Sequence, residues 1–288
     1  MPAPIIILTS STGFHTDELA RAVRARGFEP LLLPWEGNVG RLGEASGVSN
    51  SGTLLRSARA VLPRIIPAGS LEQIIYRVDT LHRLEAEGVR VMNSGRAIER
   101  TVDKGWTSAL LEEAGLPTPE TVTCERHEDA MAAFRAMGDV VVKPLFGSMG
   151  LGMTRVTDED LAWRVFHTVE TLRGVFYLQR YIPHEGRDIR AFVVGDRVIG
   201  AIERTAPGWR TNVSRGGRAS AIELTPAQQE LAVRAARAVG AEYAGVDLLP
   251  GDDGRIFVLE VNGIPGWEGL QGATGTDVAG AIVDHLIR

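Results

Sequence analysis

GVDLLP (245–250), GDDG (251–254) and RIFVLEVNGIPG (255–266) make up the stretch whose reading decides the fold. Two runs rich in Val, Ile, Leu and Phe flank four turn formers, which predicts an antiparallel hairpin. With Gly251-Asp252-Asp253-Gly254 as the loop, Pro250 faces Arg255 and Asp247 faces Val258. Side chains alternate along a strand and directly opposed residues share a face. Asp247, Glu260 and Asn262 therefore project from one face, with Glu260 diagonal to Asp247. Phe257, Leu259 and Val261 project from the other and pack. Two carboxylates and an amide oxygen on a stiff hairpin form an oxygen-only cluster of the kind that hard Mg²⁺ takes, usually shared with substrate phosphates. Most surface acids do nothing, but here the strands around them are otherwise apolar.

At 288 residues the chain is long enough for a large core split into two or three lobes. Its composition is that of a soluble globular protein. A net charge of -5 disfavours nonspecific DNA binding. The single cysteine, Cys124, rules out an internal disulfide and a Cys-rich zinc site. No apolar run reaches the length of a membrane span, and the run at 5–8 is too short and lacks the basic start of a signal peptide. A cytoplasmic protein without membrane attachment is the expectation.

Outward from the hairpin, the chain opens as α/β. Strands at 5–10, 30–35, 60–66 and 89–93 alternate with helices at 16–26 and 71–87, which predicts an open parallel sheet over residues 1–93. No GxGxxG follows the first strand, so a dinucleotide site is not indicated. Ser10–Thr12 and Arg64 fall at carboxyl ends of strands, where such sheets bind ligands. The Gly-, Ser- and Asn-rich stretch 36–57 reads as a long loop. One helix is expected from Ser94 to about Ala114.

Next, VVVKPLFGSMGLG (140–152) reads as a buried strand delivering Lys143 to a glycine loop. Backbone N–H groups of Gly147, Ser148 and Gly150 can approach an anion closely, and Lys143 adds a point charge. The lysine precedes the glycines and no helix follows, so this is not a Walker loop. A hairpin over 188–205 turns at Gly195-Asp196, with Asp188 and Arg190 on one face and Glu203 on the return strand. GWRTNVSRGGR (208–218) places Arg210, Arg215 and Arg218 among glycines and Asn212, as an anion-binding loop would. Thr225-Pro226 starts a helix that stops at Gly240.

Cations of this kind in one half and metal-binding acids in the other suit a nucleoside triphosphate held between two lobes. VVKPLFGSMGLG, GRDIRAFVVGDRVIGAIER, TNVSRGG, AGVD and LEVNGIPGWEG, in that order, resemble the motifs of the ATP-grasp ligases. They are most similar to the branch of the ribosomal protein S6 glutamate ligase RimK and related cofactor-tailoring glutamate ligases. LPRI at 62–65 and the helix bearing Asp103-Lys104 are familiar too. The resemblance implies an ATP-grasp fold, α+β in its catalytic part, preceded by the open α/β lobe. Its domains would span 1–93, 94–182 and 183–288. Lys104 and Lys143 would contact ATP phosphates. Arg180 and Tyr181 would offer backbone groups to adenine, with Gln179 beside them, and Asp188 would bind the ribose. Arg190 and Arg210 would be catalytic by neutralising phosphate charge, and Asn212 would lie against the triphosphate. Asp247, Glu260 and Asn262 would hold Mg²⁺, with Mn²⁺ as an alternative ion. Met149, in place of a polar residue, and the 36–57 and 66–70 regions depart from RimK.

The activity implied is ATP-dependent C–N ligation. A carboxylate attacks the γ-phosphate to give an acyl phosphate and ADP, and an amine, that of L-glutamate or another amino acid, then displaces phosphate. The acceptor would be a protein tail or a cofactor precursor, and the assembly a dimer or tetramer. A kinase on the same fold and a non-catalytic nucleotide sensor are the alternatives.

Overall fold

The computed structural model describes residues 2–44, 46–147, 150–211 and 218–288. β1 (Ile5–Thr9), α1 (Phe14–Ala25) and β2 (Pro30–Pro34) make the first βαβ step. The second runs through β6 (Ala60–Pro63), α2 (Leu71–Ala86) and β7 (Arg90–Val91), and the parallel sheet has the order β2-β1-β6-β7. Every residue of β1 is buried, because both faces are covered: Ile5 and Ile7 pack on the α1 side, Ile6 and Leu8 on the α2 side.

The stretch 36–57 is not a loop. It carries a three-stranded antiparallel sheet of β3 (Asn38–Arg41), β4 (Gly47–Asn50) and β5 (Thr53–Leu54). Asn50 is fully buried and its Nδ2 donates to the Pro34 carbonyl at 2.6 Å and to Asn38 Oδ1 at 2.7 Å. Val48 and Leu55 join the core below. These contacts are non-local, so a composition typical of loops conceals them.

The helix expected over 94–114 is two. α3 (Gly95–Val102) ends before Asp103, which is extended and caps α4 (Lys104–Glu113) by accepting from the Trp106 N–H at 2.9 Å. The break puts Lys104 on the first turn of α4. The second sheet, β10-β9-β11-β8, is antiparallel and comprises β8 (Thr121–Cys124), β9 (Val140–Val142), β10 (Thr154–Val156) and β11 (Phe176–Arg180). α5 (His127–Met137) and α6 (Glu159–Thr171) cover one face through Phe134, Phe166, Phe176 and Leu178. Alternation turns Tyr177 and Gln179 to the other face.

The third sheet has the order β14-β13-β12-β15-β16, all antiparallel. Its strands are β12 (Arg187–Val194), β13 (Arg197–Thr205), β14 (Arg218–Ala221), β15 (Tyr243–Pro250) and β16 (Ile256–Asn262). α7 (Pro226–Val239) covers one face, packing on Ile189, Ala191, Val246, Leu248, Val258 and Val261. Thr225 caps α7 in a capping box with Gln228, and Gly240 ends it in the left-handed region, as the sequence predicts. The opposite face is divided. At one end Phe192, Val194, Ile202 and Tyr243 lie in a core with β1, α1, α8 (Glu268–Thr274) and α9 (Val278–Leu286). At the other end it bears charge.

Asn93 fixes the first lobe to this sheet. It is fully buried and uses both ends of its amide: Nδ2 donates to the Tyr243 and Gly263 carbonyls at 2.7 and 2.6 Å, and Oδ1 accepts from the Glu242 and Tyr243 N–H groups at 2.7 and 3.2 Å. Asn93→Ala strips buried backbone groups of their partners, at about 1–3 kcal/mol for each left unmet. The urea midpoint should fall by the equivalent of several kcal/mol, with the unfolding slope unchanged. Among the described residues no helix is long and apolar enough to cross a membrane.

Candidate active site

In the β15–β16 hairpin, Asp247 stands directly opposite Glu260, and Gly245 opposite Asn262. This corrects the expected register. The turn holds five residues, since Pro250 pairs with Ile256 rather than Arg255. A bulge then slips the pairing once more, from Leu248↔Val258 to Asp247↔Glu260, leaving Leu259 unpaired. Two one-residue slips restore the face that one would have reversed. Asp247, Glu260 and Asn262 thus do share a face, but Glu260 is opposite Asp247, not diagonal. Phe257 and Leu259 do not pack with Val261. Val258 and Val261 do, and Phe257 pairs with Leu249 on the acidic face. Gly245 places no side chain beside Asn262. The resulting donor set is all oxygen and fits a hard divalent cation.

Asp247 is buried and engaged. Arg190 Nε and Nη2 each donate to its carboxylate at 2.7 Å, and Arg204 Nη2 adds a contact at 3.1 Å. Arg204 also grips Asp188 bidentately, Nε to Oδ1 at 2.7 Å and Nη2 to Oδ2 at 2.5 Å. Asp188, Arg204 and Asp247 are each at most 5% exposed. Burial would raise the Asp247 carboxyl, but the two arginines outweigh it and hold it well below the usual range. Sequence reading missed Arg204 and placed Glu203 on the return strand in its stead. The turn at Gly195-Asp196 is as expected, but a bulge between Phe192 and Val193 shifts the register, so Asp188 meets Arg204. Glu203 lies opposite Ile189, on the other face, 3.8 Å from Arg187.

Lys143 and Lys104 stand on the facing lobe. Lys143 Nζ donates to Gln179 Oε1 at 2.6 Å, and Gln179 Nε2 donates to the Tyr177 hydroxyl at 3.0 Å and to Thr121 Oγ1 at 3.2 Å. The Tyr177 hydroxyl is 2.9 Å from Ser108 Oγ. Gln179, 2% exposed, therefore orients the lysine. Lys104 Nζ donates to the Gly147 carbonyl at 2.7 Å and lies 3.9 Å from Glu260 Oε1, across the cleft. Burial pushes Lys143 down to about 8, with Lys104 adding to the shift and Glu260 and Asp247 opposing it.

Well below pH 8 Lys143 is charged whether or not an anion is bound, so affinity does not vary with pH through this group. Above that value the free protein has lost the proton, and a bound phosphate must restore it. Affinity for Mg²⁺–AMPPNP should fall as pH rises through about 8, with proton uptake on binding. Calorimetry in buffers of differing ionisation enthalpy reads that uptake, and Lys143→Met should abolish it.

The glycine loop connects β9 to β10. Gly150 and Gly152 have φ of 66° and 75°, and a Cβ on Gly152 would lie 2.7 Å from Pro144 Cγ, so the close turn requires glycine there. Ser148, Met149, Asn212 and Arg215 lie outside the described residues. Arg210 Nη2 donates to the Met153 carbonyl at 2.6 Å, so the arginine loop touches the strand that follows the glycine loop. Arg218 begins β14 and is exposed. The N–H groups of Arg180 and Tyr181 donate to the Glu120 and Asp139 carbonyls at 2.8 and 2.9 Å, so these two donors are already used within the protein. The Arg180 side chain turns to Glu120 and the Met137 carbonyl.

A family model, the RimK-like ATP-grasp domain, matches residues 101–286. The tetrahydromethanopterin:alpha-L-glutamate ligase of Methanosarcina acetivorans is 36% identical over a gapped alignment 317 positions long, which covers 98% of this chain and 97% of that one. Among solved structures, the ATP-grasp ligase PsnB complexed with a minimal precursor superposes with a TM-score of 0.79 at 26% identity, covering 100% of this chain and 99% of that one. A RimK-domain ATP-grasp protein from Sphaerobacter thermophilus gives 0.78 at 25%, covering 99% and 100%. The chain belongs to the RimK-like ATP-grasp family and is an ATP-dependent ligase.

Proposed function

We propose that the protein joins the amine of L-glutamate to a carboxylate of a cofactor precursor of the pterin type, at the expense of ATP. The observation that carries this reading is the cleft itself: lysines of one lobe face the acids of the β15–β16 hairpin, with Lys104 3.9 Å from Glu260. The near-complete alignment with a pterin-directed glutamate ligase supports the choice of substrates. PsnB has also been solved with Mg, ADP and a variant of its minimal precursor, at 26% identity.

In this reading Lys104, Lys143 and the backbone of Gly147, Ser148 and Gly150 hold the phosphates of ATP. Arg210 and Asn212 flank them. Gln179, Arg180 and Tyr181 border adenine, and Asp188 reaches the ribose from its pairing with Arg204. Asp247, Glu260 and Asn262 hold Mg²⁺, which neutralises phosphate charge when bound. Mn²⁺ substitutes, since its ligand preferences are similar. The acceptor carboxylate attacks the γ-phosphate, the P–O bond to ADP breaks, and Arg190 balances the charge on the transferred group. The amine then attacks the acyl carbon and phosphate leaves with the C–O electrons. The protein performs no covalent step. It orients two substrates and shields a water-sensitive acyl phosphate. The working assembly is a dimer or tetramer in the cytoplasm, which light scattering on the purified protein and fractionation check.

The experiment is mass spectrometry of products from ATP, Mg²⁺, L-glutamate and a metabolite extract. A pterin-class product heavier by one or more glutamyl residues, with ADP release requiring both acid and amine, is the expected result. A glutamylated peptide would move the acceptor to a protein tail. A phosphorylated product stable without amine would make the protein a kinase.

A further inference from the structure

We propose that Arg64 binds a carboxylate of one of the two organic substrates, so that this arginine of the first lobe selects what the catalytic lobes ligate. The inference rests on the ligase reading.

Arg64 is 3% exposed. Buried arginines are expected to be paired, and the others here are. Arg204 has Asp188 and Asp247, and Arg77 has the Pro67 carbonyl at 2.7 Å and Glu36 at 3.9 Å. Among the described residues Arg64 has no acid within ion-pair distance. Its guanidinium lies over the Trp267 ring at 4.7 Å, Nη2 donates to the Pro265 carbonyl at 3.2 Å, and Nη1, shielded from solvent, has no partner among the described residues. His15, on the first turn of α1, supplies no negative charge. Its Nε2 accepts the Trp267 N–H at 3.0 Å, and burial, then Arg64, lower it to about 4, so it is neutral. A positive charge is thus held out of water with no counter-ion among the described residues.

The position is informative. Arg64 follows the carboxyl end of β6, where open parallel sheets bind ligands. Ser10, Ser11, Thr12 and Ile65 around it are exposed loop. Pro265 links it to the catalytic face: a Cβ on Gly245 would lie 3.0 Å from Pro265 Cβ and 3.6 Å from Arg190 Nε. Pro265 and Gly245 therefore lie between Arg64 and the arginine that grips Asp247. Phosphate is already provided for by the lysines opposite, whereas a carboxylate is common to both organic substrates. Charge-assisted bonding by a guanidinium fork suits it.

Trp267 makes the test direct. Full-length protein with Mg²⁺–AMPPNP is titrated with L-glutamate, as the amine substrate, and with glutarate, a dicarboxylate lacking the amine, while tryptophan fluorescence is read. A saturable change with at least one probe is expected. It should be lost in Trp267→Phe, weakened about 10- to 100-fold in Arg64→Met, and partly restored in Arg64→Lys. A glutamate response assigns the amine substrate, and a response to glutarate alone assigns the acceptor. Nucleotide affinity should be unchanged, and the Tm of Arg64→Met unchanged or higher, because an unpaired buried cation has been removed. A lower Tm with undiminished probe affinity would make Arg64 a structural residue and overturn the proposal. So would the absence of any Arg64-dependent signal. Glutarate binding through Arg64 in a protein that never ligates glutamate would leave the inference standing and overturn the choice of amine.

Discussion

Glu260→Gln lowers kcat for ADP release by about 10²–10³-fold and leaves the fold intact. Glu260 is only partly buried, and its one ion pair among the described residues is the 3.9 Å approach of Lys104. Little stability depends on it. Its carboxylate faces the cleft directly opposite Asp247, so in the proposed reading it would be one of the oxygen ligands of Mg²⁺ and its charge would offset that of the cation. Glutamine keeps size and one oxygen but removes that charge. Steady-state ADP release measures the loss, and calorimetry with Mg²⁺–ADP should show weaker metal-dependent binding with no change in Tm. A variant that retained full activity would remove Glu260 from the proposed Mg²⁺ ligands and revive the reading as a nucleotide sensor.

The same hairpin shows what a sequence can and cannot tell. Strand identity, the shared face of Asp247, Glu260 and Asn262, and the lysine delivered by a buried strand all follow from period-2 alternation and turn chemistry. Register does not. Both departures that matter are bulges, at Leu259 and beside Val193; only the second carries a local signal, Gly200 inside β13, and it does not say which way the register shifts. In the first hairpin the longer turn cancels the effect on the face. In the second nothing cancels it, and Arg204 takes the place that simple counting gives to Glu203. The sheet over 38–54 escaped for a related reason, since buried Asn38 and Asn50 look like loop residues until Asn50 is seen to donate to Asn38 across the strand pair. The break at Asp103 went unread although Asp is an ordinary N-cap residue, because the same aspartate fits the interior of one longer helix until its contact with the Trp106 N–H is seen. The resemblance itself rests on motif order, which survives errors of register.

Asp247→Ala should destabilise the protein by about 3–5 kcal/mol, read from the urea midpoint. The cost comes from what is left behind. Arg190 can turn partly to solvent, but Arg204, with 5% of its side chain exposed, cannot. Asp188 alone must then balance it, although burial already opposes the charge that Asp188 and Asp247 together hold on Arg204. Replacing the group as a unit, Asp188→Leu with Arg204→Met and Asp247→Leu, should recover most of that loss, because well-packed apolar side chains do as well as a buried ion network. Activity should not recover with it. If stability returned and ADP release did not, the buried charges would be there for the site: Arg204 fixes two carboxylates in one orientation, and Arg190 holds charged the Asp247 carboxylate that would serve a bound cation. If the triple variant stayed as unstable as Asp247→Ala, the network would instead be what holds β12, β13 and β15 in register.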